Sequence, residues 1–386
     1  MLTVMQECPS LPSLRRRLFK NKHQGWSEYL CSIMERKDIR ALSPSELQEA
    51  MLELGEKPFR AKQVEEWIWT KGAGSFEEMS NLSKSLRERL EENFTLQRVA
   101  IADQQHSEDG TIKCAFDVRA GQVVEGVLIP TSKRMTACIS SQAGCSLACK
   151  FCATGRLKLL KNLSAGEIYD QVEMIRDMAM DHHQQHLTNI VYMGMGEPLL
   201  NYKEVLASID RICGDPGLGM SPKRITVSTA GIAKAIKRLG DDEVRFNLAL
   251  SLHAANDEKR NRIMAINESN NLDALAEALQ YFYSKTGTRV TFEYIIFKDF
   301  NDELEDAREL AAFCARVPSK VNIIEYNPID GGEFEQADPE RVDAFVALLE
   351  SRNVIVNVRR SRGKDIDAAC GQLANKNSAA TPAFKT

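Results

Sequence analysis

The sequence lacks any long run of apolar residues, and none approaches the roughly 20 residues that a membrane-spanning helix needs. Its first residues, MLTVMQECPS, lack the basic and then apolar order of a secretory signal. Both absences argue against a membrane protein and against export. We therefore expect a cytoplasmic protein that acts without a membrane.

The sequence also lacks a strong excess of charge of either sign. Its 50 basic and 54 acidic residues give a formal net charge of −4, which argues against a uniformly basic nucleic-acid binder. Local basic patches are compatible with this balance, so the net charge does not identify the partner.

A disulfide framework is the third missing feature. The ten cysteines are scattered along a long chain apart from one cluster, unlike the dense spacing of small secreted proteins. This distribution favours a reducing compartment. The cysteines outside any motif are expected to be ordinary structural or surface thiols, namely Cys8, Cys31, Cys114, Cys213 and Cys314.

The chain is predicted to contain an extension, a small helical domain, an α/β domain and a tail. Residues 1–40 show little periodicity and are expected to be poorly ordered. Within residues 41–98, Ser43 before Pro44, with Glu46 three residues after Ser43, predicts a capped helix. FRAKQVEEWIW and SLRERLEENF repeat the helical period. By its pattern this all-helical domain is either a packing module or an RNA-contacting module.

Residues 99–375 alternate between strand-like and helix-like runs. TIKCAFDV, VVEGVLIP and RMTACISS have the composition of strands, and the β-rich runs after the cysteine cluster alternate with helices of 10 to 15 residues. This is the pattern of parallel βα units, and about six or seven such units predict an α/β fold with a partial or full parallel βα barrel. The site of such a barrel lies at the carboxyl ends of its strands. Residues 376–386 form the tail.

Three cysteines follow the first strand of the predicted barrel. Cys145, Cys149 and Cys152 suit a cubane 4Fe–4S cluster, in which each thiolate binds one iron and the fourth iron is open to a substrate or cofactor. The alternative is a zinc ion with Cys138 or His253 as its fourth ligand. Against zinc, Cys138 lies in a predicted strand, and the spacing differs from the paired knuckles of zinc sites.

The motif C-x3-C-x2-C, with Phe151 before its last cysteine, resembles the signature of the radical S-adenosylmethionine (SAM) enzymes. In that superfamily a 4Fe–4S cluster binds SAM at its open iron and cleaves it to a 5′-deoxyadenosyl radical. GMGEP resembles the superfamily's glycine-rich segment, which implies that the backbone of Gly196 and the carboxylate of Glu197 hold the SAM ammonium group. The resemblance implies further cofactor-binding roles for Phe151, Ser228, Ser251, Leu252, His253 and Asn327.

The resemblance narrows to the adenine-C2 RNA methyltransferases, which modify ribosomal RNA and, in some members, transfer RNA. It covers residues 42–375 and includes SFEEMSNLSKSLRERL, CISSQAGCSLACKFCATG, MGMGEPLLN, SLHAAND and RGKDIDAACGQLA. It implies that the helical domain binds RNA. It also implies methylation of C2 of an adenosine in 23S ribosomal RNA, with transfer RNA as a candidate second substrate.

The chemistry of adenine explains why this family needs residues outside the cluster. C2 is not nucleophilic, so a carbon radical must be delivered to it. The resemblance implies that one SAM methylates Cys370, that a second SAM activates the S-methyl group, and that a covalent protein–RNA adduct forms. Glu125 would remove the C2 proton, and Cys138 would release the RNA by forming a disulfide with Cys370. Because such attack needs a thiolate, we expect neither cysteine to be buried and inert.

The resemblance also implies the partners. They are ribosomal RNA, the candidate transfer RNA, and an electron donor such as flavodoxin or ferredoxin. We expect a monomer, because one barrel with one accessory domain needs no second copy to complete the site. Basic side chains near the cluster and near Cys370 are expected to neutralise RNA phosphates, namely Arg156, Lys158, Lys161, Arg359, Arg360, Arg362 and Lys364.

Two alternative functions share much of this pattern. A relative that methylates C8 of the same ribosomal adenine, and so protects against antibiotics, has the same cluster cysteines and catalytic cysteines. A non-catalytic iron–sulfur protein that binds RNA or senses redox state would need only the cluster. The presence of Cys370, Cys138 and Glu125 in register with the family argues against the second alternative.

Overall fold

The computed structural model describes residues 36–118 and 121–376 of the chain. They belong to two compact units that divide between Gln97 and Arg98. Most of the predicted extension, with Cys8 and Cys31, and most of the predicted tail lie outside the described residues. The described part of the extension is ordered, which corrects the expectation for these residues, because a short strand and a helical turn form there and Ile39 is buried.

Three helices make up most of the first unit. The side chain of Ser43 accepts a hydrogen bond from the backbone N–H of Glu46, and the Glu46 carboxylate accepts one from the N–H of Ser43, at 3.3 and 2.7 Å. The predicted capping box is therefore confirmed. Leu47 and Met51 pack into the core of this unit. Its elements are β1 (Lys37–Asp38), α1 (Pro44–Glu53), α2 (Phe59–Trp69), α3 (Lys84–Asn93) and β2 (Phe94–Thr95), and β1 pairs with β2 in parallel.

A ten-stranded sheet forms the centre of the second unit. Its first four strands are antiparallel, and the pairing becomes parallel from the fourth strand onwards. The antiparallel strands are β3 (Ala100–His106), β4 (Ile112–Asp117), β5 (Val123–Thr131) and β6 (Arg134–Cys138). The following parallel strands are β9 (Asn189–Tyr192), β10 (Ile225–Thr229), β11 (Asn247–Ser251), β12 (Val290–Ile296), β13 (Ser319–Glu325) and β14 (Val356–Arg359).

Helices connect the parallel strands, as the alternating pattern predicts. The strand order runs from β14 to β3, and these two strands are the ends of the sheet within the described ranges. The sheet is therefore open, and the fold is a partial barrel. The helices are α4 (Ala165–His183), α5 (Tyr202–Cys213), α6 (Ala233–Asp241), α7 (Asp257–Ile263), α8 (Leu272–Thr286), α9 (Leu304–Cys314) and α10 (Pro339–Ser351).

The parallel strands bring their carboxyl ends to one edge of the sheet. Strand β12 is buried along its whole length, as is typical of a parallel strand covered on both faces. The loops after β6, β9, β10 and β11 therefore open on the same side, where the sequence predicts the site. Among the described helices, none is both long and apolar enough to span a membrane.

Candidate active site

The cysteine loop follows β6, and its base is closed by a short antiparallel pair, β7 (Gln142–Ala143) with β8 (Lys161–Asn162). Gly144 has a φ of +77°, and a Cβ there would lie 2.0 Å from the carbonyl oxygen of Lys158. A Cβ at Gly155 would lie 2.8 Å from the carbonyl oxygen of Cys149. The loop folds this tightly because both positions are glycine.

The three cysteines of this loop line one cavity. Burial raises the pKa of each thiol, that of Cys145 to about 11, and the neighbouring thiolates raise the pKa of Cys145 and Cys149 further. Thiols with such raised pKa values lose their protons when a bound cation stabilises the thiolate form. The donors Cys145, Cys149 and Cys152 therefore fit an iron–sulfur cluster.

The arrangement differs from a site for a single metal ion. Within residues 36–118 and 121–376, no three His, Cys, Asp or Glu side chains form a group that could hold one ion. A cubane has no such requirement, because each thiolate binds a separate iron. Cys138 and His253, the fourth ligands of the zinc alternative, line the cavity without completing such a group.

The glycine-rich segment after β9 lies against the start of the cysteine loop. Gly196 has a φ of +97°, and a Cβ there would lie 2.5 Å from the Cβ of Gln142. Glu197 is buried, and its carboxylate accepts hydrogen bonds from the N–H groups of Ala230 and Leu199 at 2.7 and 3.0 Å. Burial raises the pKa of the Glu197 carboxyl. This carboxylate thus joins two loops at the cavity wall.

The structure brings most of the predicted cofactor-binding residues together. Gly196, Glu197, Phe151, Ser228, Ser251 and His253 line the same cavity as the three cysteines. Leu252 and Asn327 do not line it; Leu252 is fully buried, and the side-chain amide of Asn327 donates to the carbonyl oxygen of Cys370 at 3.3 Å. These two residues support the cavity wall from behind.

His253 is a structural member of the site. Its φ is +55°, its Nδ1 accepts the N–H of Ile295 at 3.1 Å, and its ring stands edge-on to Phe151 with the centroids 4.6 Å apart. Burial, and then the positive charge of Arg260, lower the pKa of His253 to about 3. The imidazole is therefore neutral at physiological pH.

The segment that carries Cys370 is bonded to the cysteine loop. The N–H of Ala153 donates to the carbonyl oxygen of Gly371 at 2.7 Å. The hydroxyl of Thr154 donates to the carbonyl oxygen of Leu373 at 2.6 Å. Residues far apart in the sequence are joined in this way, and Cys370 is held at the cavity that contains the three cysteines.

Cys138 and Cys370 line this cavity together, but their surroundings differ. Cys138 is 8% exposed, and burial, followed by the nearby Cys370, raises its pKa to about 12. The structure contradicts the expectation for Cys138 as regards burial, because strand β6 places its side chain in the interior; its reactivity stays a prediction. Cys370 is accessible through the open cavity, while the surrounding protein raises its pKa to about 11.

Glu125 lies on β5, behind the cavity wall. Its side chain is 1% exposed and lies 3.6 Å from the Nζ of Lys113. One carboxylate oxygen accepts the N–H groups of Ala374 and Asn375 at 2.9 and 3.0 Å. Glu125 thus anchors the chain just after Cys370, and it is not among the residues that line the cavity.

Sequence reasoning named Arg359 as an RNA contact but missed Glu293 and the ion pair that the two residues form in this cavity. Arg359, at the end of β14, contacts the carboxylate of Glu293 on β12 at 3.3 Å, and both residues line the cavity. Of the charged neighbours, Arg359 lowers the pKa of both Cys138 and Cys370. Glu293 is an acidic residue inside the apolar strand VTFEYII, and this feature of the sequence could have indicated a buried ion pair.

Several of the predicted RNA-contacting residues are engaged within the chain. Arg156 donates to the carbonyl oxygens of Asp330 and Gly331. The amine of Lys161 donates to the carboxylate of Glu167 at 2.7 Å. Lys364 and Arg362 likewise contact acidic side chains, whereas Arg360 lies at the cavity wall and Lys158 is exposed.

Comparisons with known proteins find relatives over most of the chain. The model of the N-terminal domain of ribosomal RNA large subunit methyltransferases matches residues 37–96, and that of the radical SAM superfamily matches residues 139–311. A probable dual-specificity RNA methyltransferase RlmN of Cytophaga hutchinsonii is 56% identical over 90% of this chain and 97% of its own. One of the same name from Salinibacter ruber is 45% identical over 89% of this chain and 95% of its own. The crystal structure of a radical SAM methyltransferase from Sphaerobacter thermophilus has a TM-score of 0.82 and 37% identity, and the match covers 87% of this chain and 99% of that one.

Proposed function

The chain belongs to the RlmN family of radical SAM RNA methyltransferases, and from that premise we propose that it methylates C2 of an adenosine in 23S ribosomal RNA and in transfer RNA. The observation that carries the proposal is the shared cavity of Cys138, Cys370 and the three cysteines of the loop. An enzyme that only transferred a SAM methyl directly to a nucleophile would not need two further thiols there.

Cys145, Cys149 and Cys152 would hold the 4Fe–4S cluster that the family implies. When bound, the cluster and SAM supply an electron, a radical and a methyl group, with two SAM molecules used in each turnover. Gly196 and Glu197 would orient SAM, and Phe151, Ser228, Ser251 and His253 would form its surroundings at the cavity wall. The electron donor would be a flavodoxin or ferredoxin, and the enzyme would act as a cytoplasmic monomer.

Cys370 would carry the methyl group, and its sulfur would become covalently joined to the RNA through a methylene carbon. The access of Cys370 to the open cavity supports this role. The hydrogen bonds from Ala153 and Thr154 would keep its backbone in place while the RNA is attached. Glu125 would then take the C2 proton. To reach the substrate, its carboxylate must first release its hydrogen bonds with the N–H groups of Ala374 and Asn375.

Cys138 would release the product. Its thiolate would form an S–S bond with Cys370, the S–C bond would break, and the electron pair of that bond would pass to the methylene carbon, which takes up a proton to become the methyl group. Arg359 would favour the thiolate, because a positive charge lowers the pKa of Cys138. Reduction of the disulfide would restore both thiols.

Mass spectrometry of nucleosides tests the proposal. Protein reconstituted without oxygen is incubated with reductant, SAM and unmodified 23S ribosomal RNA or transfer RNA. We expect 2-methyladenosine from the intact protein and from Cys314→Ala, a control thiol on α9, and none from Cys370→Ala. A product of 8-methyladenosine would establish the C8 alternative, and absence of any methylated adenosine despite a bound cluster would favour the non-catalytic protein.

A further inference from the structure

Arg260 is a wholly buried arginine on α7. Its guanidinium donates to the carbonyl oxygens of Leu252, Ala230 and Ser251 at 3.1, 2.6 and 3.2 Å. It also donates to the side-chain oxygen of Asn267 at 2.5 Å. All of these acceptors are neutral, which is uncommon because a buried charge is usually stabilised by a charge of opposite sign.

These hydrogen bonds fix the rim of the cavity. Ala230 follows β10, Ser251 ends β11 and Leu252 follows it, so one guanidinium holds two neighbouring strand ends together. Ser228 and Ser251, both at the cavity wall, lie in these segments, and their hydroxyls are 3.3 Å apart. Arg260 reaches this place from the far side of the wall and is not among the residues that line the cavity.

The helix that carries Arg260 is joined to the cysteine loop. The N–H of Lys150, the residue after Cys149, donates to the carbonyl oxygen of Ile263 at 3.1 Å, and Ile263 is the last residue of α7. Ile263 and Met264 also belong to the apolar cluster against which Cys149 and Cys152 pack. The guanidinium is therefore fixed relative to the cysteines by backbone and side-chain contacts.

The pKa of Arg260 responds to burial and to the acidic groups around it. Burial lowers the pKa of Arg260 to about 10, and the thiolate of Cys149 and then the carboxylate of Asp257 raise it. Asp257 accepts hydrogen bonds from Asn267 and from the N–H of Leu272, so its charge is shared with other donors. Reciprocally, Arg260 lowers the pKa of Cys149. Its acceptor Ala230 belongs to the same apolar cluster against which Cys149 packs, and this packing brings the buried positive charge close to the middle cysteine of the loop.

We propose that Arg260 is a positioning residue that raises the reduction potential of the cluster by placing a fixed positive charge beside Cys149. The inference rests on the proposed assignment of the three cysteines as cluster ligands. Reduction adds one negative charge to the cluster, and a nearby positive charge in a buried place favours that step. Because the same guanidinium holds the ends of β10 and β11, it also couples the cluster environment to the rim proposed to bind SAM.

A redox titration of the reconstituted protein, followed by the electron paramagnetic resonance of the reduced cluster, tests this inference. We expect Arg260→Gln to shift the midpoint to a more negative potential and Arg260→Lys to leave it close to that of the unchanged protein. Arg262→Gln removes a charge from the exposed face of the same helix and is expected to cause no shift, because water screens that charge. An unchanged midpoint in Arg260→Gln, or equal shifts in Arg260→Gln and Arg262→Gln, would overturn the inference.

A second measurement covers the case in which Arg260→Gln does not fold. A lysine loses its proton far more readily than an arginine when buried. The midpoint of Arg260→Lys is therefore expected to fall at alkaline pH relative to that of the unchanged protein, and parallel pH profiles would overturn the inference. A cluster that survives Cys149→Ala would instead contradict the ligand assignment of the proposed function, and the inference with it.

Discussion

The hydroxyl of Thr154, two residues after the last cysteine of the loop, donates a 2.6 Å hydrogen bond to the carbonyl oxygen of Leu373, three residues after Cys370. This contact joins positions 219 residues apart in the sequence. It places the methyl-carrying thiol of the proposed mechanism beside the proposed cluster ligands. The cysteine loop and the segment that carries Cys370 therefore form a single structural unit.

Loss of this hydrogen bond is expected to loosen the segment around Cys370. Thr154→Val leaves the carbonyl of Leu373 without its buried donor, at a cost of about 1–3 kcal/mol. We expect faster hydrogen exchange at the amides of Ala374 and Asn375, whereas Thr154→Ser keeps the hydroxyl and serves as the control. Equal exchange in Thr154→Val and in the unchanged protein would show that the contact does not hold the segment.

The proposed function gives Glu125 a catalytic role besides its anchoring hydrogen bonds, and two substitutions separate these roles. Glu125→Gln keeps an oxygen for the N–H groups of Ala374 and Asn375 but removes the base, so we expect product formation to fall by about 100-fold or more with slow exchange at both amides. Glu125→Ala removes the acceptor as well and is expected to speed the exchange. Nucleoside mass spectrometry measures product formation, and full activity in Glu125→Gln would exclude Glu125 as the base.

The alkylation rate of Cys370 is expected to depend steeply on pH. Desolvation by the surrounding protein raises its pKa to about 11, while the charge of Arg359 lowers the pKa and those of Glu293 and Cys152 raise it. In protein without a cluster, the thiolate fraction and hence the alkylation rate should rise about tenfold for each pH unit below that pKa.

Arg359 controls the size of this effect. In Arg359→Gln the positive charge is gone, so the pKa of Cys370 should rise and its alkylation at a given pH should slow. Arg360→Gln, which alters the neighbouring residue at the cavity wall, is the matched control. Mass spectrometry of the peptide that contains Cys370 gives the rates, and identical rates in Arg359→Gln and Arg360→Gln would refute the role of Arg359.

The βα core could be predicted from the sequence because its signals are local. In the first unit, the helical run FRAKQVEEWIW has the same limits, Phe59–Trp69, in the sequence pattern and in the structure. The capping box of Ser43 and Glu46 and the cysteine loop after β6 are likewise encoded within a few residues. Such elements form wherever apolar periodicity and capping residues coincide.

Other features depend on contacts that no local pattern encodes. Strand β3 (Ala100–His106) has no buried residue, so its sequence lacks the alternation of a half-buried strand. The seven residues of α7, DEKRNRI, include one apolar residue and have no amphipathic period, so no local signal predicts the burial of Arg260. Cys138 lines the same cavity as Cys370, which follows it by more than 200 residues, and no local pattern predicts that proximity.

The central claim is that Cys370 carries the RNA and Cys138 releases it. The most direct test is anaerobic incubation of Cys138→Ala with unmodified 23S ribosomal RNA, reductant and SAM, followed by mass spectrometry of the peptide that contains Cys370. The account predicts a covalent adduct in which the sulfur of Cys370 is joined through one methylene carbon to adenine C2. The double variant that carries both Cys138→Ala and Cys370→Ala is expected to form no such adduct. Free 2-methyladenosine from Cys138→Ala, formed at the rate of the unchanged protein and without any adduct, would contradict it.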